Sequence, residues 1–147
     1  MEISLVVLSV SEVVLNIPQE ITVYVDDESL RQVFEELFSN ASKAMHNRGT
    51  IRVHASCISP QDAIEHPGQT VRLVVEDNGP GAPVEMVSRL FEPFVTGTAQ
   101  GTGLGLAFVK RVIEEHGGSI QYEPAEPHGA RFIVVLPTDS EEKLNGQ

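Results

Sequence analysis

The sequence ELFSNASKA, residues 36–44, lies inside a longer stretch, residues 30–45, whose apolar positions recur at helical spacing. This spacing predicts an amphipathic α-helix. Glu36, Asn40 and Lys43 fall on one stripe of that helix, beside its apolar face. Asparagine is a mediocre helix former, but its amide oxygen can bind Mg²⁺, and a lysine amine can contact phosphate. The stripe is compatible with the edge of a binding pocket, although a solvated helix flank is the simpler interpretation of these three residues alone.

A second motif, DNGPG at residues 77–81, ends a predicted strand in a carboxylate and continues with two glycines. Glycine lets a flat ligand approach the backbone closely. The Asp77 carboxylate can accept a hydrogen bond from an amino group, and adenine carries such a group on its edge. An ordinary turn at the end of a strand accounts for the same residues equally well.

A third motif, GTGLGL at residues 101–106, places three glycines at alternate positions directly before a predicted helix, Leu104–His116. Free backbone N–H groups and the helix dipole at such a position attract phosphate. The spacing differs from the dinucleotide fingerprint G-x-G-x-x-G, and the G-K-[ST] of a Walker A loop is absent. On its own, a glycine-rich helix start is a weak signal of anion binding.

The remaining sequence predicts strands and short connections around these motifs. Alternating apolar residues predict four strands, at Ile51–Cys57, Val71–Val75, Ser119–Glu123 and Arg131–Leu136. Runs of β-branched residues predict two further strands, at Ile3–Val10 and Ile21–Val25. Asp26 or Asp27 can cap the first helix, a short helix is expected at Val84–Leu90, and a polar, flexible tail is expected at residues 138–147.

Length and composition restrict the class of protein. The chain has 147 residues, which is about one domain at roughly 150 residues per domain. Its formal net charge of −11 disfavours binding to nucleic acid and to anionic lipid. The apolar runs near the start are too short to span a bilayer, so we expect no direct membrane insertion. The single cysteine, Cys57, is expected to be a buried, inert thiol, and this cysteine usage favours a cytoplasmic location.

Together the motifs resemble the ATP-binding domain shared by sensor histidine kinases, DNA gyrase, heat-shock chaperone ATPases and MutL, known as the Bergerat or GHKL fold. The resemblance lies in four boxes in the expected order: the N box at 36–44, the first glycine box at 77–81, the F box at 90–94 and the second glycine box at 101–106. The F box and the later sequence HGGSI, residues 116–120, are similar to the histidine-kinase branch. With four boxes in order, a chance match is a poor explanation.

This resemblance implies an α/β two-layer sandwich, in which a mixed β-sheet is covered on one face by helices and ATP lies between the helix layer and a lid. The ATP-binding catalytic domain would then occupy residues 1–137. Phe91 and Phe94 would anchor the lid, residues 95–101, although plain core aromatics explain both residues equally well. Gly97-Thr98 stand where nitrogen-regulation-type sensor kinases often have Thr-Lys, so the resemblance does not carry over a lid contact to phosphate.

The resemblance also assigns roles to individual residues, with ATP and Mg²⁺ as the cofactors. Asp77 would accept a hydrogen bond from the adenine amino group, and Gly79 and Gly81 would leave room for the base. Asn40 would bind Mg²⁺, and Lys43 would contact phosphate. The second glycine box would bind the phosphates, through Thr102, Gly103, Leu104, Gly105 and Leu106. Phe94 would lie beside them at the lid.

Two residues depart from the histidine-kinase pattern. Most sensor kinases place Asn where this chain has Glu36, whereas gyrase and MutL place a glutamate there as a general base, so Glu36 is a candidate catalytic base. Ala130 stands where relatives often have a threonine that assists the adenine carboxylate.

The function that the resemblance implies is transfer of the γ-phosphate of ATP to a histidine on a separate dimerisation and phosphoacceptor domain, and from there to a response regulator. None of the five histidines has the H-[ED]-x-[RK]-x-P context of a phosphoacceptor, so that histidine is expected outside this chain. The isolated domain is expected to be monomeric, and the parent kinase can be membrane-anchored. Three alternatives remain: an ATP hydrolase that uses Glu36, an anti-sigma-type serine kinase, and a nucleotide-binding module without catalysis.

Overall fold

A computed structural model describes residues 12–17, 23, 25–46, 48–58, 70–95 and 103–137. The elements in these residues are β1 Glu12–Asn16, α1 Asp27–Ala44, β2 Thr50–Ile58, β3 Thr70–Asp77, a 3₁₀ helix Val84–Arg89, α2 Gly105–Glu115, β4 Ser119–Pro124 and β5 Ala130–Pro137. In the part of the chain described, no helix is long and apolar enough to cross a membrane.

The strands form one mixed sheet in the order β1-β2-β3-β5-β4. β1 runs parallel to β2, and all other neighbouring pairs are antiparallel. The pairing of β3 with β2 and β5 aligns Val75 with Val53 and Phe132 on one face of the sheet. Because side chains alternate along a strand, Asp77 lies on this same face, at the end of β3.

The two helices cover that face and form the core with it. Asp26 caps α1, since its carboxylate accepts a hydrogen bond from the Ser29 N–H at 2.9 Å. The buried side chains of α1, among them Val33, Leu37 and Phe38, pack in one cluster with apolar residues of α2 and of the sheet. The predicted arrangement, a mixed sheet with helices on one face, is therefore confirmed.

The largest local differences from the sequence predictions lie at β1, in the segment before α1 and at the end of β2. β1 was not predicted, and Val23 and Val25 lie outside any strand, so the predicted strand at Ile21–Val25 is wrong at these two positions. Cys57 is exposed and not buried, because it is the penultimate residue of β2 and lies beyond the part of the strand that packs in the core.

Several predictions fall outside the described residues. They are the strand at Ile3–Val10, the lid at residues 96–101, Thr102, and the tail at residues 138–147.

Candidate functional site

A cavity of about 550 Å³ lies between α1, the start of α2 and the helix-covered face of the sheet. Its volume lies within the range of roughly 300–1,000 Å³ that is common for small-molecule and cofactor sites. The cavity brings together eight residues predicted from three separate sequence motifs. They are Glu36, Asn40, Lys43, Asp77, Gly81, Gly103, Gly105 and Leu106.

The sheet side of the cavity is organised around Asp77. This residue is only 5% exposed, and its Oδ1 accepts hydrogen bonds from the N–H groups of Gly79 at 2.9 Å and Ala130 at 3.2 Å. Burial raises the pKa of the Asp77 carboxyl, while these two hydrogen bonds act in the opposite direction. A buried carboxylate held in one orientation is well suited to accept a hydrogen bond from a ligand amino group.

Gly81 adopts a left-handed conformation with φ +77°. A Cβ atom at this position would lie 2.8 Å from the Gly129 carbonyl oxygen, so the loop after β3 packs too closely on the β4–β5 turn for a side chain. Gly79 does not line the cavity. It contributes through its backbone N–H, which orients Asp77.

The helix side of the cavity carries the polar stripe of α1. Glu36, Asn40 and Lys43, which the helical spacing placed on one stripe, all line the cavity. A Cβ atom on Gly105, the first residue of α2, would contact the Glu36 carboxylate. Glu36, at the start of the stripe, therefore lies beside the N-terminus of α2, where the backbone N–H groups of the first helical turn favour an anion. Lys43 and this helix terminus supply the positive charge and the N–H donors of the site.

The donor set is compatible with Mg²⁺ held jointly by the protein and a nucleotide. In the described residues no group of three or more His, Cys, Asp and Glu side chains could hold a metal by itself. Asn40 and Glu36 offer an amide and a carboxylate oxygen at the cavity wall, and Mg²⁺ prefers such hard oxygens together with substrate phosphates.

Some predicted residues do not line the cavity. Phe94 is 77% exposed, and its backbone N–H donates to the Gly103 carbonyl at 2.8 Å. Leu104 is 44% exposed and is the residue before the first turn of α2. Phe91, in contrast, packs edge-on against Phe132 with ring centroids 6.2 Å apart, as a core aromatic would.

Further lining residues were not assigned a ligand contact from the sequence, although Ala130 was expected beside the adenine carboxylate and Val95 in the lid. They are Ser39, Ala44, His46, Pro80, Ala82, Pro83, Met86, Leu90, Val95, Tyr122, Ala130 and Phe132. Tyr122 and Phe132 are directly paired on β4 and β5 and share the helix-covered face of the sheet. The alternation of apolar residues in these strands was the available signal, because it places both aromatics on the same face as Ile120 and Val134.

The histidine kinase-, DNA gyrase B-, and HSP90-like ATPase family matches residues 25–140. The chain belongs to this family. Within it, the relatives and solved structures described next are sensor histidine kinases and their catalytic domains, so the domain is of the histidine-kinase type.

Two curated relatives illustrate the similarity. The sensory histidine kinase/phosphatase NtrB of Rhodobacter capsulatus is 43% identical over 80% of this chain and 34% of its own length. The sensor histidine kinase ZraS of Escherichia coli O157:H7 is 39% identical over 78% of this chain and 23% of its own length. The chain thus spans about a third or less of these curated relatives.

Solved structures agree with this placement. The catalytic domain of the histidine kinase ThkA has a TM-score of 0.72 and 31% identity, covering 89% of this chain and 80% of that one. The mycobacterial sensor histidine kinase MprB has a TM-score of 0.70 and 30% identity, covering 86% of this chain and 82% of that one. Full-length ShkA in complex with AMPPNP has a TM-score of 0.70 and 29% identity, covering 88% of this chain and 26% of that one. The expected fold and family are confirmed.

Proposed function

We propose that this domain binds Mg-ATP in the cavity and presents the γ-phosphate to a histidine on a separate dimerisation and phosphoacceptor domain. The observation that carries the proposal is the polarity of the cavity. The buried Asp77 carboxylate lines the cavity from the sheet, and Lys43 and the N-terminus of α2 line it from the helices. A nucleotide has matching ends, an amino-bearing base and an anionic phosphate chain.

The base binds at the Asp77 side of the cavity. The carboxylate accepts a hydrogen bond from the adenine amino group, and Gly79 and Ala130 keep it in position through their N–H groups. Phe132 contributes an aromatic ring to the same wall. This arrangement supplies orientation of the nucleotide, which is a large part of catalysis in phosphoryl transfer.

The phosphates bind at the α2 side of the cavity. Lys43 offsets their negative charge, and the backbone N–H groups near Gly103, Gly105 and Leu106 donate hydrogen bonds to them. Asn40 holds Mg²⁺, which when bound supplies further charge neutralisation at the phosphates. The residues of the chain thereby hold the phosphate chain in place for an acceptor that approaches from outside.

The acceptor domain docks beside the mouth of the cavity. Four large apolar residues on the segments around the cavity are exposed: Val84 is 88% exposed, Phe94 77%, Leu104 44% and Val87 40%. Exposed apolar residues next to a reactive site favour contact with a protein partner. In a two-component system that partner passes the phosphoryl group to a response regulator, and this domain works in the cytoplasm as a monomer, within a parent kinase that can be membrane-anchored.

The test is phosphotransfer in a mixture of this domain, γ-labelled ATP and a purified phosphoacceptor domain from a similar sensor kinase. We expect acid-labile label on the acceptor histidine. Asp77→Asn strongly reduces transfer at ATP concentrations that just saturate the wild type, while the exposed control Asp27→Asn transfers normally. ATP binding without transfer to any tested acceptor would favour a nucleotide-binding module, and acid-stable label on serine would favour a serine kinase.

A second candidate activity, ATP hydrolysis, is favoured by the position of Glu36. Its carboxylate lines the cavity and lies against Gly105, at the phosphate side. A carboxylate there can accept a proton from an attacking water. If Glu36 is the base, Glu36→Gln lowers phosphate release from ATP in the absence of a partner by about 100-fold. Equal phosphate release from both proteins would exclude this role.

A further inference from the structure

The β4–β5 hairpin contacts the loop after β3 through two side chains that the proposed nucleotide contacts do not include. The Tyr122 hydroxyl accepts a hydrogen bond from the Ala82 N–H at 3.0 Å. The Nδ1 of His128 lies 3.0 Å from the carbonyl oxygen of Gly79, and since a carbonyl can only accept, Nδ1 is the donor. The two contacts are made to opposite ends of the segment 79–82.

We propose that Tyr122 and His128 are positioning residues that hold segment 79–82 in the conformation that selects adenine. This inference rests on the proposed function, because it concerns the same nucleotide site. Neither residue is assigned a contact with phosphate or with the acceptor. Both act through the backbone of the segment that borders the base-binding side of the cavity.

His128 acts on the peptide groups next to Asp77. The Gly79 N–H donates to the Asp77 carboxylate, and the Gly79 carbonyl accepts from His128, so the backbone is held on both sides of this residue. Ala130, two residues after His128, donates to the same carboxylate, and the turn itself is closed by a hydrogen bond from Ala125 N–H to Gly129 O at 3.0 Å. A change in the turn therefore reaches the orientation of Asp77 directly.

Tyr122 acts on the other end of the segment. Its ring lines the cavity and packs on Phe132 with centroids 5.5 Å apart, and Phe132 in turn packs on Phe91. These contacts fix the ring, so the hydroxyl is presented to the Ala82 N–H in one place. Removal of the hydroxyl leaves a part-buried N–H without its acceptor, which favours movement of the loop.

The consequence is a role in base discrimination. Adenine presents an amino donor where guanine presents a carbonyl acceptor, and a carboxylate distinguishes the two only while it is held in register with that edge. When the loop shifts relative to Asp77, the domain loses more affinity for ATP than for GTP.

The test compares ATP and GTP binding by calorimetry in the wild type and in Tyr122→Phe, His128→Ala and His128→Asn. We expect Tyr122→Phe and His128→Ala to weaken ATP binding by about 3- to 10-fold each and to reduce the ratio of ATP to GTP affinity. His128→Asn retains a donor close to the position of Nδ1 and restores most of the affinity. Gln121→Ala, an exposed residue next to Tyr122, is the matched control and binds ATP as the wild type does.

Two further readouts separate positioning from simple destabilisation. At saturating ATP, phosphotransfer by Tyr122→Phe stays within about twofold of the wild type, so the effect falls on KM and not on kcat. Unchanged ATP affinity in Tyr122→Phe and His128→Ala overturns the inference, as does an equal loss of ATP and GTP affinity with a lowered melting temperature. Failure of the wild type to bind ATP overturns the proposed function itself, which is a separate result.

Discussion

At the scale of single residues, Asp77 carries both a functional advantage and a cost in stability. Its carboxyl is buried on the helix-covered face of the sheet, and burial raises its pKa. The folded state therefore binds a proton more tightly than the unfolded chain does. Where the group is ionised, its buried charge lowers the free energy of unfolding; this cost shrinks as pH falls through the raised pKa and is gone below the pKa of the unfolded chain.

This cost predicts that the Asp77→Asn protein is more stable than the wild type. Loss of the carboxylate predicts that the same protein binds ATP more weakly. Asparagine keeps an acceptor oxygen for the Gly79 and Ala130 N–H groups and removes the buried charge. We expect the variant to have the higher melting temperature at pH 7, and the difference between the two melting temperatures to narrow in acid. ATP binding by the variant is expected to be weaker by about 10- to 100-fold. Thermal melts across pH, together with calorimetry, measure these effects. A lower melting temperature for the variant at pH 7 would contradict the assignment of the cost to burial.

At the scale of elements, the β4–β5 turn and the loop after β3 act as one unit. Gly129 has φ +124°, and a Cβ atom there would collide with the Asp77 carbonyl oxygen. Gly117, at the end of α2, also has a positive φ of 77°, but the nearest atom to its Cβ would be Pro137 Cγ at 3.9 Å. A side chain at either glycine would strain the backbone. Gly129 lies against Asp77 in the site, whereas Gly117 lies away from it.

This pair predicts different outcomes for the same substitution. Gly117→Ala lowers stability by about 1 kcal/mol through strain at positive φ, and its ATP affinity is unchanged. Gly129→Ala lowers stability by more and weakens ATP binding at least about 10-fold, because β3 and the turn must move apart at Asp77. Chemical denaturation and calorimetry on both variants test this. Equal ATP affinity in the two proteins would show that the turn does not position the carboxylate.

Elements whose signals are local were predictable from sequence, and elements that depend on distant partners were not. The apolar face of α1 and its Asp26 cap lie within one stretch of chain, and the helix forms as predicted. β1 is defined by parallel pairing with β2, more than thirty residues later, and no local pattern indicates such a partner. The alternation of β4 placed Tyr122 on the covered face, but its hydrogen bond to Ala82 joins residues 40 positions apart, and no local pattern indicates that contact.

At the scale of the whole molecule, the charge of the chain opposes its proposed ligand. The formal net charge of −11 repels an anionic nucleotide at long range, while Lys43 and the start of α2 attract its phosphates at short range. Salt screens the long-range field beyond a distance of about 8 Å at physiological ionic strength and affects close contacts much less.

These opposing fields predict that ATP associates faster as salt is added at low ionic strength. We expect the association rate to rise about two- to fivefold between roughly 10 mM and 150 mM salt, while the rate for uncharged adenosine stays constant. Stopped-flow measurements with both ligands provide the comparison. A rate for ATP that falls with added salt would mean that the local positive groups dominate the approach of the nucleotide.

β3 lies in the middle of the described sheet, with β2 and β5 hydrogen-bonded on its two sides. Amides in such a strand exchange with deuterium only when the sheet around them opens, whereas loops exchange through small local openings. Asp77 is the last residue of β3, so we expect the proposed base-binding carboxylate to be attached to the slowest-exchanging part of the described residues. We therefore expect nucleotide to enter and leave while the strand that carries the recognition group stays folded.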